Sequence, residues 1–155
     1  MFITLKIIQF ISLFLLMLVT GVFWGTWFSL SRSIEKFTAE SFLAIGRVII
    51  KNLAIPMRII MPLTILLMLT GILYYPQKET PAFYVDIASF ILIIISLLIT
   101  VLIEVPIDNR IKRWTIASLP SNWEALRNKW QFYHTIRTFT SIGSFLLLMF
   151  VALFY

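Results

Sequence analysis

The chain has 155 residues, of which 60% are hydrophobic and only 13% charged, and its mean hydropathy is +0.95. A water-soluble domain of this size has no way to hide so much apolar surface, so the chain reads as an integral membrane protein. It contains no Cys, which excludes disulfides, thiolate zinc sites and Cys-ligated clusters.

Four apolar runs, 7–30, 59–75, 87–103 and 139–155, approach or exceed the ~17 residues that cross a ~30 Å hydrocarbon core. The expected fold is an all-α membrane protein: a four-transmembrane-helix bundle forming a single domain over 1–155. The first run is longer than the ~7–15 residues of a signal-peptide core and is read as a retained span. Four spans put the two polar loops on one side, and that side holds eleven of the thirteen Lys and Arg; Lys6 and Lys78 lie on the other. By the positive-inside rule both loops are cytoplasmic and both termini face out, with a bacterial inner or plasma membrane as the expected location. The net charge of +6 is thereby explained by topology and membrane lipids, with no nucleic acid as partner.

Along the chain, Gly21 and Gly25 form a Gly-x-x-x-Gly spacing that suits close helix approach, within the chain or to a second copy or another membrane protein. In residues 34–54 and just beyond, Lys36, Glu40, Arg47, Lys51 and Arg58 share one helical face. This pattern predicts an amphipathic cytoplasmic helix on the membrane surface, broken or kinked at Pro56 before the second span. The hairpin from Tyr74 to Asp86, with Pro76, Pro81 and three Tyr, reads as a structural interfacial turn. Val105-Pro106 is expected to end the third helix. Ser121 with Glu124 three residues on makes a capping box that starts a long fourth helix.

On that helix Trp123, Arg127, Trp130, His134, Arg137 and Ser141 fall on one stripe, where aromatic planes alternate with cations. The stripe suits stacking of a flat aromatic ligand with an oxyanion paired to Arg, and equally suits Trp at headgroup depth with Arg on lipid phosphates. A lone His offers no metal cluster and no cofactor motif is present, which leaves proton chemistry at His134 with anion stabilisation by arginines. Asp108, Asn109 and Arg110 follow the turn and are placed to join this stripe. Asp108 is expected to pair with Arg127 or Arg137, and Glu104 with a nearby cation.

Val105-Pro106-Ile107-Asp108-Asn109, Trp114, Leu119-Pro120-x-x-Trp123 and Arg127-x-x-Trp130-x-x-x-His134-x-x-Arg137 together resemble the anthrone oxygenase-like family of small four-helix membrane proteins. The chain departs from that pattern at Glu104 and Asp108, where Asn is the expected residue. The resemblance implies oxidation of an anthrone- or quinol-type substrate by dioxygen with no metal or flavin. It implies that His134 takes a proton, that Arg127 and Arg137 stabilise the oxyanion, and that Trp123 and Trp130 hold the rings. Asn109, Arg110 and Trp114 complete the expected substrate site. Two non-enzymatic readings stand beside it: a subunit or stabiliser of a membrane assembly, and a binder of quinone or lipid.

Overall fold

A computed structural model of the chain describes residues 2–155. Four long helical units account for nearly all of it: α1 (Phe2–Ser29), α2 (Ala39–Leu73), α3 (Pro81–Ile99) with its continuation, and α5 (Trp123–Phe154). A π-helical segment, Thr100–Glu104, joins α3 to the short α4 (Val105–Ile111), and a 3₁₀ turn, Ser31–Lys36, follows α1. The described residues contain no strand. Each of the four units is long and apolar enough to cross a membrane, so the protein is an integral membrane, all-helical bundle.

The bundle closes around two apolar clusters. Leu16, Val19, Phe23, Met61, Met68, Ile93 and Leu148 fill the middle, and Ile34, Phe42, Leu43, Ile50, Ile107 and Ile111 fill the end that carries the polar loops. Both polar loops lie at this end, where an Arg47 guanidinium donates to the Trp114 carbonyl. At the opposite end Lys6, Tyr75, Gln77 and Tyr155 surround a separate cavity of about 310 Å³ that reaches Asp86.

Helices α3 and α5 make the closest pair, and small hydroxyl residues explain why. The Ser89 hydroxyl donates to the Ser144 carbonyl at 2.7 Å, Ser144 returns the bond at 2.8 Å, and Ser96 donates to the Arg137 carbonyl at 2.9 Å. Side chains this short let two backbones approach and satisfy their own hydroxyls on the partner helix.

Three local expectations are corrected. The segment predicted as a separate surface helix is the first half of α2, which runs 35 residues through Pro56 and Pro62 without interruption. At 1.5 Å per residue it spans roughly 52 Å, so its charged half projects beyond the ~30 Å core while remaining one rod. Each Pro removes one N–H and the helix bridges the gap, as membrane helices commonly do. Val105-Pro106 does not end the third helix either. The chain widens into a π turn, with the Val105 N–H bonded to the Thr100 carbonyl five residues back, and then resumes as α4. Pro106 has no N–H to offer the Leu102 carbonyl and its ring crowds that oxygen, so a wider turn relieves both problems. Finally, α5 starts at Trp123 with Asn122 as N-cap, and no side-chain capping bond forms.

Gly21 and Gly25 are exposed, and a Cβ at either would meet nothing within 4 Å. They therefore serve no close approach inside the bundle. Gly25→Ala is expected to change stability by less than ~1 kcal/mol. Ser89→Leu, which forces bulk into the α3–α5 seam, is expected to cost about 1–3 kcal/mol. Thermal unfolding of both variants in mild detergent checks the contrast.

Candidate functional site

Arg137 organises the polar centre of the bundle. It sits on α5, one turn below His134, and is almost fully buried at 9% exposure. Each part of its guanidinium has a separate partner. Its Nε donates to His134 Nδ1 at 2.9 Å, Nη1 to the Thr100 hydroxyl at 3.2 Å, and Nη2 lies 3.0 Å from Glu104 Oε2 as an ion pair. Glu104 is wholly buried, and its other oxygen, Oε1, has no hydrogen-bond partner. The pair places no net charge in the membrane interior, which is the condition for keeping either group there.

The chain reaches this geometry through the π turn. Thr100 opens the widened segment and Glu104 closes it, so the two residues that hold Arg137 bracket the local distortion. Such single widened turns re-aim side chains and are frequent at functional sites.

Around the guanidinium the walls are aromatic. Trp130 stacks on His134 with centroids 4.8 Å apart and planes 14° from parallel. Phe23 of α1 meets the same imidazole edge-on at 6.3 Å and lies under the Arg137 guanidinium at 4.6 Å, a cation–π contact. The Trp130 indole N–H donates to Asp108 Oδ1 at 3.1 Å. One indole thus contacts both the imidazole and the carboxylate.

A cavity of about 250 Å³ opens against this cluster. Its polar wall includes Asp108, Trp130, His134 and Arg137, with Arg58 and Lys112 also on the lining, and its apolar wall includes Met57 and Met61 of α2. Pro62 and Val101, both exposed, also line it, so the cavity opens between α2 and the α3–α4 unit on the bundle's outer surface. That volume lies just under the ~300 Å³ at which small-molecule pockets begin, with the expected mix of apolar wall and few polar groups.

The predicted site residues divide into two sets. His134, Arg137 and Trp130 meet at the cavity, joined by Asp108, while Asn109 lines its exposed mouth and accepts from Lys112 at 3.3 Å. Trp123, Arg127 and Trp114 lie elsewhere. Arg127 is buried, donates to Asn128 and lies 5.0 Å above the Trp123 ring. Trp123 in turn packs on Phe42, and both Trp123 and Trp114 cover the apolar cluster at the polar-loop end. Arg110 is exposed and off the cavity wall. The helical stripe is real on the cylinder, but its upper half is packed into a core.

Of the two expected ion pairs, Glu104 finds its cation in Arg137, whereas Asp108 takes Trp130 as its partner. Phe23 and Thr100 belong to the site without a motif to announce them. Thr100 had one readable signal, a hydroxyl four residues before Glu104 in an otherwise apolar run. Phe23 had none, because only tertiary packing brings α1 against α5. Among the described residues no group of three or more His, Cys, Asp or Glu gathers as a metal site.

A family model described as anthrone oxygenase matches residues 51–147, more than half of the chain, and this segment holds every residue of the cluster except Phe23. No curated protein and no solved structure matches the chain. The chain belongs to the anthrone oxygenase family.

Arg137→Met leaves Glu104 buried without its counter-charge and is expected to destabilise the bundle by about 3–5 kcal/mol. Adding Glu104→Leu removes the stranded carboxylate and is expected to recover a large part of that loss. Unfolding of the single and double variants in detergent, read as a double-mutant cycle, measures the coupling.

Proposed function

We propose that this member of the anthrone oxygenase family oxidises a flat, fused-ring phenolic, anthrone- or quinol-type compound with dioxygen, in the cavity walled by Trp130, His134 and Arg137. The observation that carries the reading is the Arg137–His134 pair beneath a stacked indole, at the edge of a cavity open on the outer face of the bundle. An apolar substrate would enter sideways from the bilayer, between α2 and the α3–α4 unit. Its rings would lie along Trp130 and the methionines of α2.

The chemistry suits that setting. An anthrone carries a C–H bond whose proton is acidic, because its loss gives an anion delocalised over the rings with the charge on oxygen. Such an electron-rich anion transfers an electron to dioxygen directly, and that step needs no group beyond the substrate itself. What the protein must supply is proton removal, a donor for the oxyanion, and a site shielded from bulk water. The His134 imidazole lines the cavity, and Arg137 behind it fixes the ring while adding positive potential. Asn109 and Lys112 at the mouth are exposed. We place both polar loops, and with them this cavity, on the cytoplasmic side, with both termini outside, on the strength of the eleven-to-two distribution of basic residues.

Anthrone supplied to the protein in lipid nanodiscs is expected to drive oxygen uptake above its spontaneous autoxidation. Trp130→Ala is expected to raise KM about tenfold through loss of stacking, since a stacked aromatic pair contributes ~0.5–1.5 kcal/mol. Oxygen-electrode traces that match protein-free nanodiscs would end the oxygenase reading. Because the chain has no native Cys, single Cys labels at Ser33 and Asn122 report topology cleanly. Both should resist impermeant reagent added outside intact cells, and labelling of both from outside would reverse the orientation.

A further inference from the structure

We infer that Asp108 is the group that takes the substrate's proton, and that His134 serves as a fixed hydrogen-bond donor; this rests on the oxygenase reading above and deepens it. A guanidinium has only N–H donors and nothing to accept with, so the imidazole nitrogen 2.9 Å from Arg137 Nε must present a lone pair. The ring proton of His134 therefore sits on Nε2, a buried nitrogen on the side of the Phe23 backbone with no partner at full hydrogen-bond distance. A proton arriving from substrate would have to go to Nδ1, where Arg137 already stands. It would create a second cation directly against the first, in a buried site. His134 can offer a proton to an oxyanion there, but while the bond to Arg137 holds it has no place to receive one.

Among the carboxylates, geometry distinguishes two neighbours. Glu104 is wholly buried, is tied to Arg137 and does not reach the cavity wall. Asp108, one turn further along the same helical unit, lines the cavity directly. Its Oδ1 is held by the Trp130 indole N–H at 3.1 Å, and no hydrogen bond within the protein reaches Oδ2. The held oxygen fixes the carboxylate's orientation, and the other is left for chemistry. The indole that holds Asp108 at its edge is the one stacked on His134, so one rigid ring system positions both groups beside the substrate space.

The substrate C–H breaks, its proton goes to Asp108 Oδ2, and the electron pair stays on the ring system as an enolate whose oxygen accepts from His134 Nε2–H. Dioxygen takes one electron from the enolate and the resulting radical pair joins, forming a C–O bond to a peroxide anion, which recovers a proton from Asp108. Loss of the second C–H proton with cleavage of the O–O bond releases water and leaves the new ketone. Across the sequence a CH₂ becomes a C=O, dioxygen accepts four electrons, and one water is formed.

Proton removal can be read apart from oxygen chemistry by following exchange of the anthrone CH₂ protons for deuterium in D₂O under argon, with the protein in nanodiscs. Asp108→Asn keeps the size and an acceptor for Trp130, so it should retain the wild-type unfolding midpoint and anthrone quenching of Trp fluorescence. Its protein-dependent exchange is expected to fall ~100-fold or more, the usual contribution of a positioned acid–base group, and Asp108→Glu should restore part of it. His134→Gln, which retains an N–H donor, is expected to keep exchange within about tenfold of wild type while slowing oxygen uptake. Exchange in Asp108→Asn equal to wild type, or abolished in His134→Gln with Asp108→Asn intact, overturns the assignment while the oxygenase reading stands. A wild type that accelerates neither exchange nor oxygen uptake overturns both.

Discussion

A buried guanidinium sets the terms for much of this structure. Arg137 cannot shed its proton, so the bundle must supply a counter-charge and acceptors at one depth in an otherwise apolar interior. Glu104 supplies the charge, and Thr100 and His134 supply acceptors. Meeting that demand dictates the shape of the third helical unit, because Thr100 and Glu104 bracket its π turn. It also dictates the state of His134, whose free nitrogen is decided by the one that Arg137 occupies. Fold and chemistry share one cause here: the same contacts that make the charge tolerable leave a polarised imidazole at the cavity edge.

The legible parts of the fold were those governed by composition and period. Four apolar runs became four spanning helices, and both polar loops came to one end because an even number of crossings leaves no alternative. The stripe of Trp130, His134 and Arg137 was readable for the same reason, since a spacing of three or four residues is a face on any helix. What could not be read was which half of a stripe meets a partner. Trp123 and Arg127 obey the same period as Trp130 and His134, yet Phe42, contributed from eighty residues away, covers the Trp123 ring. Nothing local separates a ligand-facing indole from one that seals a core.

Proline misled in two places, with related physics. Pro56 and Val105-Pro106 both carry strong local signals for a helix end, and both sit inside continuous helical units. In water a broken backbone bond is satisfied by solvent and the chain is free to turn. In hydrocarbon an open end leaves several groups unsatisfied, so bridging one missing bond costs less than stopping. At Pro106 the bridge is a wider turn, and that turn brackets the residues that hold Arg137.

The hydroxyl seam between α3 and α5 has a meaning for the cell's ion gradients. Between Asp86 near one end and the Glu104–Arg137 cluster near the other lie Ser89, Ser144, Ser96 and Thr140, which by residue type alone would pass for a proton wire. Yet Ser89, Ser96 and Ser144 each donate to a main-chain carbonyl, and all three are wholly buried. A relay needs hydroxyls that can turn over to pass a proton on, and these are committed. The seam therefore offers no hydroxyl relay between the two cavities. A proton taken up in the proposed reaction at the Arg137 end would therefore return to the side it came from.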